Sequence, residues 1–223
     1  MGIKINIDKY LSGIMSDRFH RYTSWENCFE AFSVSERSEM HALHLAFYLA
    51  SWGMYRGSSG LLQKNHLIHQ GAVEILFDYI KNLQCNKTKE IEPKDIENMF
   101  SLKNELSEYY SNIEFSKGTD VSKSISPTDT LISKIILGTL GCVPAYDRYF
   151  IEGIKLNNFE NYSFNKESLH ELFHFIEINE VEINHIQDTI KSNLKIHYPV
   201  MKIIDMYFWQ LGYDKEVNVK KQK

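Results

Sequence analysis

Residues 39–55, Glu-Met-His-Ala-Leu-His-Leu-Ala-Phe-Tyr-Leu-Ala-Ser-Trp-Gly-Met-Tyr, carry apolar side chains around almost the whole circumference of a helix. A helix without a polar face has to be surrounded, so this pattern places the segment in the middle of a domain. Arg56-Gly57-Ser58-Ser59-Gly60 breaks it. A second helical pattern spans about 66–82, with Leu67, Ala72, Ile75, Leu76 and Tyr79 on one face. Pro93 opens a helix through 110, because proline suits a first helical position. Leu131, Ile132, Ile135 and Ile136 mark a short helix ending around Gly138 to Gly141. Asn165 caps a helix through about 178, another runs from about 180 to 196, and Pro199 starts an apolar helix over 200–211 closed by Gly212. The pattern is all-α, and 4 prolines and 11 glycines oppose a turn-rich sandwich.

At 223 residues and 43% apolar composition, the chain suits one domain, 1–223, with a sizeable core. Residues 116–127, rich in Ser, Lys, Thr, Gly and Asp, lack apolar periodicity and read as a loop joining two lobes, 1–115 and 128–212. Residues 213–223 read as a polar tail. No apolar run is long enough to span a bilayer, and the N-terminus lacks a secretory h-region. Cys28, Cys85 and Cys142 suggest neither a disulfide framework nor a zinc site, so a cytoplasmic protein is expected. A net charge of −4 opposes nucleic-acid coating by bulk charge, though Arg18, His20 and Arg21 form one local basic cluster.

Asp147 stands out in Cys-Val-Pro-Ala-Tyr-Asp-Arg-Tyr-Phe, 142–150. With Pro144 as first residue of a helix, Tyr146, Phe150, Ile151 and Ile154 form an apolar stripe, and Asp147 falls inside it. A carboxylate there has to be paired, hydrogen-bonded or used. Lys134 projects away from the Leu131/Ile135 stripe and reads as solvated; facing a cleft instead, it could form a Schiff base.

The run Thr-Leu-Ile-Ser-Lys-Ile-Ile-Leu-Gly-Thr-Leu-Gly-Cys-Val-Pro-Ala-Tyr-Asp, 130–147, resembles the catalytic segment of helix-hairpin-helix-GPD DNA glycosylases, in particular the 8-oxoguanine-glycosylase-like branch. The resemblance covers some twenty residues and implies an all-α, two-lobed enzyme with a cleft between lobes. The chain is also broadly similar to anti-phage glycosylases that attack glucosylated hydroxymethylcytosine. It departs from the family in lacking a Leu-Pro-Gly-Val-Gly hairpin, and Lys134 lies nearer to Asp147 than the family's lyase lysine does.

Excising a base builds positive charge on the sugar, which a fixed carboxylate stabilises while it manages a water. Asp147 suits that role, a monofunctional enzyme is expected, and the mechanism requires neither metal nor organic cofactor. A base taken out of the stack needs aromatic faces, polar groups and phosphate donors. Trp52 or Tyr55 could stack on it, Arg56 with the Ser58 and Ser59 amides could hold phosphate, and Gln63 could read a base edge. Tyr146, Arg148 and Tyr149 would complete the pocket and the grip on DNA. Two alternatives remain open. One is a non-enzymatic all-α interaction module in which Asp147 only fixes a helix start. The other is a zinc hydrolase using His170, Glu171 and His174, which spell the His-Glu-x-x-His pattern. Asp205, on the last helix, is expected to pair with Lys202 or a neighbouring arginine.

Overall fold

The computed structural model describes residues 2–221 apart from 18, 35, 57–58, 87–88 and 118–119. Its helices are α1 (Ile3–Ser16), α2 (Thr23–Phe32), α3 (Glu39–Ser51), α4 (Gln70–Leu83), α5 (Ile96–Ser111), α6 (Asp129–Thr139), α7 (Arg148–Leu156), α8 (Lys166–Ile178), α9 (Glu180–Leu194) and α10 (Val200–Lys221). Short 3-10 turns at Leu61–Gln63, His66–His69 and Pro93–Asp95 link them. The fold is predominantly helical, as the periodicity implied. None of the described helices is long and apolar enough to cross a membrane.

Caps set several boundaries. Asn165 accepts from the Ser168 amide and starts α8, and Thr128 accepts from the Leu131 amide and starts α6. His41 completes a capping box with Ser38 at the start of α3, which explains one histidine without a metal. The 116–127 loop is corrected in part: β1 (Glu114–Lys117) and β2 (Asp120–Ser124) form an antiparallel hairpin there, with Phe115 opposite Lys123. Its described side chains are mostly exposed on both faces, so no period of two marks the strands.

Buried hydrophobic residues from Ile3 to Trp209 join in one core cluster. The central position expected for residues 39–55 belongs elsewhere. Residues 131–139 of α6 and 201–210 of α10 are buried all round, whereas α3 leaves Met40, Leu43 and Phe47 on the surface.

Helices α7 and α10 pack backbone against backbone. A Cβ on Gly153 would lie 1.9 Å from the Phe208 carbonyl oxygen, and one on Gly212 would lie 2.0 Å from that of Tyr149. Gly212 therefore does not close the last helix. It stays helical because only a bare Cα fits under α7, and α10 runs on to Lys221 through most of the expected polar tail.

Candidate functional site

The helix expected from Pro144 begins instead at Arg148. The reason lies in the preceding backbone. The Ala145 amide donates to Asp205 Oδ1 at 3.0 Å, and the Tyr146 amide donates to Ser133 Oγ at 2.8 Å. Thr130 Oγ1 donates to the Tyr146 carbonyl at 2.8 Å. With these groups held by side chains from α6 and α10, the strap at 142–146 cannot wind into a helical turn. Asp147 becomes the residue that caps α7 rather than a member of its apolar face.

Its two carboxylate oxygens have different work. Oδ1 accepts from the Tyr149 and Phe150 amides, both at 3.1 Å, and completes the cap. Oδ2 accepts from Lys134 Nζ at 2.8 Å. Lys134 is thus not solvated, and the expectation from its helix face is corrected: its side chain is 4% exposed against 15% for Asp147. The period-3.6 argument assumes a solvent face, and α6 has none over 131–139. The Trp52 ring lies against the ammonium of this pair, its centroid 4.9 Å from Lys134 Nζ. A second buried pair, Lys202 with Asp205 at 3.0 Å, lies on the same ring, with Nζ 5.9 Å from its centroid. Burial pushes the Lys202 ammonium below the usual lysine range, and the Asp205 charge pulls it back up.

Aromatic rings extend from Trp52 through the buried Trp209 to the exposed Tyr213. Tyr22 stacks on Trp52 at 5.3 Å, and Trp209 meets Trp52, Tyr22 and Tyr149 edge-on. Tyr213 stacks on Trp209 at 5.2 Å. The Arg21 guanidinium lies 5.0 Å from the Trp52 ring. The sequence placed Arg21 in a basic cluster without linking it to Asp147, and Tyr22 carried no signal at all. Buried and without an acceptor among the described residues, the Trp52 Nε1–H is an orphan donor inside this cluster.

The remaining expected site residues divide. Arg148 is exposed, donates to the Tyr149 hydroxyl at 2.8 Å and pairs with Glu216 at 2.7 Å. Tyr146 is buried, with its hydroxyl 2.8 Å from Ser168 Oγ, so it belongs to the core instead of a pocket wall. The Ser59 amide already donates to the Arg56 carbonyl at 3.0 Å, so it offers no donor to phosphate; Ser58 lies outside the described residues. Gln63 and Arg56 are exposed.

Tyr55 is half-buried, and its hydroxyl lies 2.7 Å from Nε2 of the buried His69. Burial holds the His69 imidazole down at about 3, so it is neutral in the fold and protonated below about 6.5 when unfolded. Between those values only the unfolded state takes up this proton, so stability falls as pH drops through that window. Thermal denaturation between pH 6.5 and 4 should show this loss, on the order of 1.4 kcal/mol per pH unit. The slope should be shallower in His69→Gln.

Within the His-Glu-x-x-His segment, Glu171 holds a loop, while His170 and His174 are exposed. The Glu171 carboxylate accepts from the Glu160 and Asn161 amides at 2.9 and 3.2 Å, and His174 Nδ1 lies 3.6 Å from Glu177. No group of three or more metal-capable side chains is gathered among the described residues. A cleft of about 620 Å³ beside His170 and His174 is lined also by Glu90, Phe173 and Glu177 and lies away from the Asp147 pair. The three cysteines are buried free thiols.

Comparison with protein-family models, with curated proteins and with solved structures returned no match to this chain.

Proposed function

We propose that this protein is a DNA glycosylase that breaks the N-glycosidic bond of a modified base, in repair or in defence against phage, within a cleft between two helical lobes. The observation that carries the reading is the contact of Lys134 Nζ with Asp147 Oδ2 at the N-terminus of α7, with the Trp52 ring against the ammonium. An amine and a carboxylate in contact beside an aromatic ring suit a reaction that builds positive charge at C1′. Asp147, held by two amides and by the positive end of α7, stays oriented while that charge grows. The surrounding rings of Trp52 and Tyr149 offer stacking faces for an extruded base, with Arg21 and Arg148 beside them for phosphate.

Two routes share this geometry. In the hydrolytic route Asp147 orients a water, which attacks C1′ as the base departs, leaving an abasic site. In the covalent route the Lys134 ammonium first passes a proton to Asp147, and the freed amine attacks C1′ as the bond to the base breaks, the departing base keeping the electron pair and taking up the proton that Asp147 holds. Burial of Lys134 against Asp147 supports giving the covalent route equal standing with the monofunctional one.

The test is incubation with phage DNA carrying glucosylated hydroxymethylcytosine and with oligonucleotides carrying oxidised purines. Released base and alkali-labile sites are expected on one class. Borohydride should trap a protein–DNA adduct if Lys134 is the nucleophile and none if water is. Absence of released base from every substrate would overturn the proposal.

A second reading is favoured by one contact set. Asp147 Oδ1 already receives two amides and Oδ2 an ammonium, so the residue is a complete helix cap without any substrate. An all-α interaction module would need no more of it.

A further inference from the structure

His69 sits at the end of the 3-10 turn His66–His69 with no exposed surface, and both ring nitrogens are engaged. Nε2 lies 2.7 Å from the Tyr55 hydroxyl and Nδ1 lies 2.6 Å from the Tyr110 hydroxyl. Neutral imidazole carries one N–H and one lone pair, so only two arrangements are available. In the first, Nδ1–H donates to the Tyr110 oxygen and the Tyr55 hydroxyl donates to Nε2. That leaves the Tyr110 hydrogen in the core, where its side chain is fully buried and no other partner for its hydroxyl is found among the described residues. In the second, the Tyr110 hydroxyl donates to Nδ1, and Nε2–H donates to the Tyr55 oxygen. The hydrogen left over is then on Tyr55, which unlike Tyr110 keeps part of its side chain at the surface. A buried donor without an acceptor disfavours the first arrangement by roughly tenfold or more.

We infer that Tyr110 and His69 are positioning residues that turn the Tyr55 hydroxyl outward as a fixed hydrogen-bond donor, and that its ligand is an acceptor oxygen of bound DNA. The inference rests on the glycosylase reading for the identity of the ligand, and on hydrogen-bond accounting alone for the direction of the donor. Tyr55 follows Trp52, whose ring lies over Lys134 Nζ, by three residues and precedes the exposed Arg56. The buried imidazole stays neutral at neutral pH, so it keeps one N–H and one lone pair and the relay does not gain a second donor. Stacking, the role that the sequence suggested for Tyr55, uses the ring face; this assignment gives the hydroxyl a separate and directional role. The oxygen can belong to a phosphate or to a base carbonyl, and both are acceptors only.

Two measurements test it. Nitrogen-15 NMR of histidine-labelled protein at neutral pH should find His69 as the Nε2–H tautomer; the Nδ1–H tautomer would overturn the relay. Tyr55→Phe removes the donor and keeps the ring, and should weaken binding to a DNA duplex carrying the excised base by about tenfold. Equal weakening on unmodified duplex identifies a phosphate oxygen, and weakening confined to the modified duplex identifies a base carbonyl. Unchanged binding by Tyr55→Phe overturns the assigned ligand. If the wild-type protein neither binds nor cleaves any DNA tested, the glycosylase reading falls and takes the DNA ligand with it, while the tautomer still decides the relay.

Discussion

Asp147→Asn combined with Lys134→Met is expected to unfold close to the wild-type midpoint, whereas Asp147→Ala alone should lose about 3–5 kcal/mol. Alanine removes the cap of α7 and strands an ammonium whose side chain is 4% exposed. Asparagine keeps an oxygen for the Tyr149 and Phe150 amides, since Asn and Asp cap equally well. Methionine replaces the Lys134 stem without a charge, so the double variant buries no unpaired ion, and the asparagine amide nitrogen replaces Oδ2 on a side chain that is 15% exposed. Urea unfolding of the two variants measures the difference. Excision separates the two functional readings. If Asp147 stabilises a sugar cation, the double variant should be folded and slower by about a hundredfold or more. If Asp147 is only a cap, wild type and double variant should be alike in having no excision activity.

Gly153→Ala is expected to cost about 3 kcal/mol or more, an unusually large loss for one added methyl. Most overpacked side chains relieve strain by changing rotamer. Here the obstacle is main chain: the new Cβ would meet the Phe208 carbonyl oxygen at 1.9 Å. Relief requires α7 and α10 to separate, and the shift carries over to Gly212 beneath the Tyr149 carbonyl. Gly212→Ala should therefore cost a similar amount, and the pair should cost less than the two added together, because one separation relieves both contacts. Denaturant midpoints of the three variants test this. Any excision activity should fall as well, since Asp147 caps α7 and α10 supplies the Asp205 that holds the Ala145 amide.

Much of the helical architecture is written in local signals. Asn165 and Pro93 mark helix starts by the chemistry of their own side chains, and both lie where the structure has such starts. The pairing of Lys202 with Asp205 also follows from spacing, because residues three apart on a helix are neighbours. Local signals fail where the environment, not the residue, decides. Lys134 looks like a surface lysine in any window around it, because Leu131 and Ile135 define an apolar face that it does not share. Only the enclosure of α6 by α2, α3 and α5 removes the solvent on its far side, and only the strap at 142–146 brings a carboxylate to meet it.

The same division runs through the candidate site. By itself the sequence determined that the chain is helical and that Trp52 and Tyr55 sit at a helix break, because each depends on residues a few positions away; it set Asp147 inside a helix expected from Pro144, and the fold moved it to the cap. The tertiary structure alone decided that Arg21, Tyr22, Trp52, Lys134, Asp147 and Trp209 would converge, and that His69 would join Tyr55 to Tyr110. Those residues come from different helices and loops. Their meeting depends on how closely backbones approach, as at Gly153 and Gly212, and on which polar groups find partners once water is excluded.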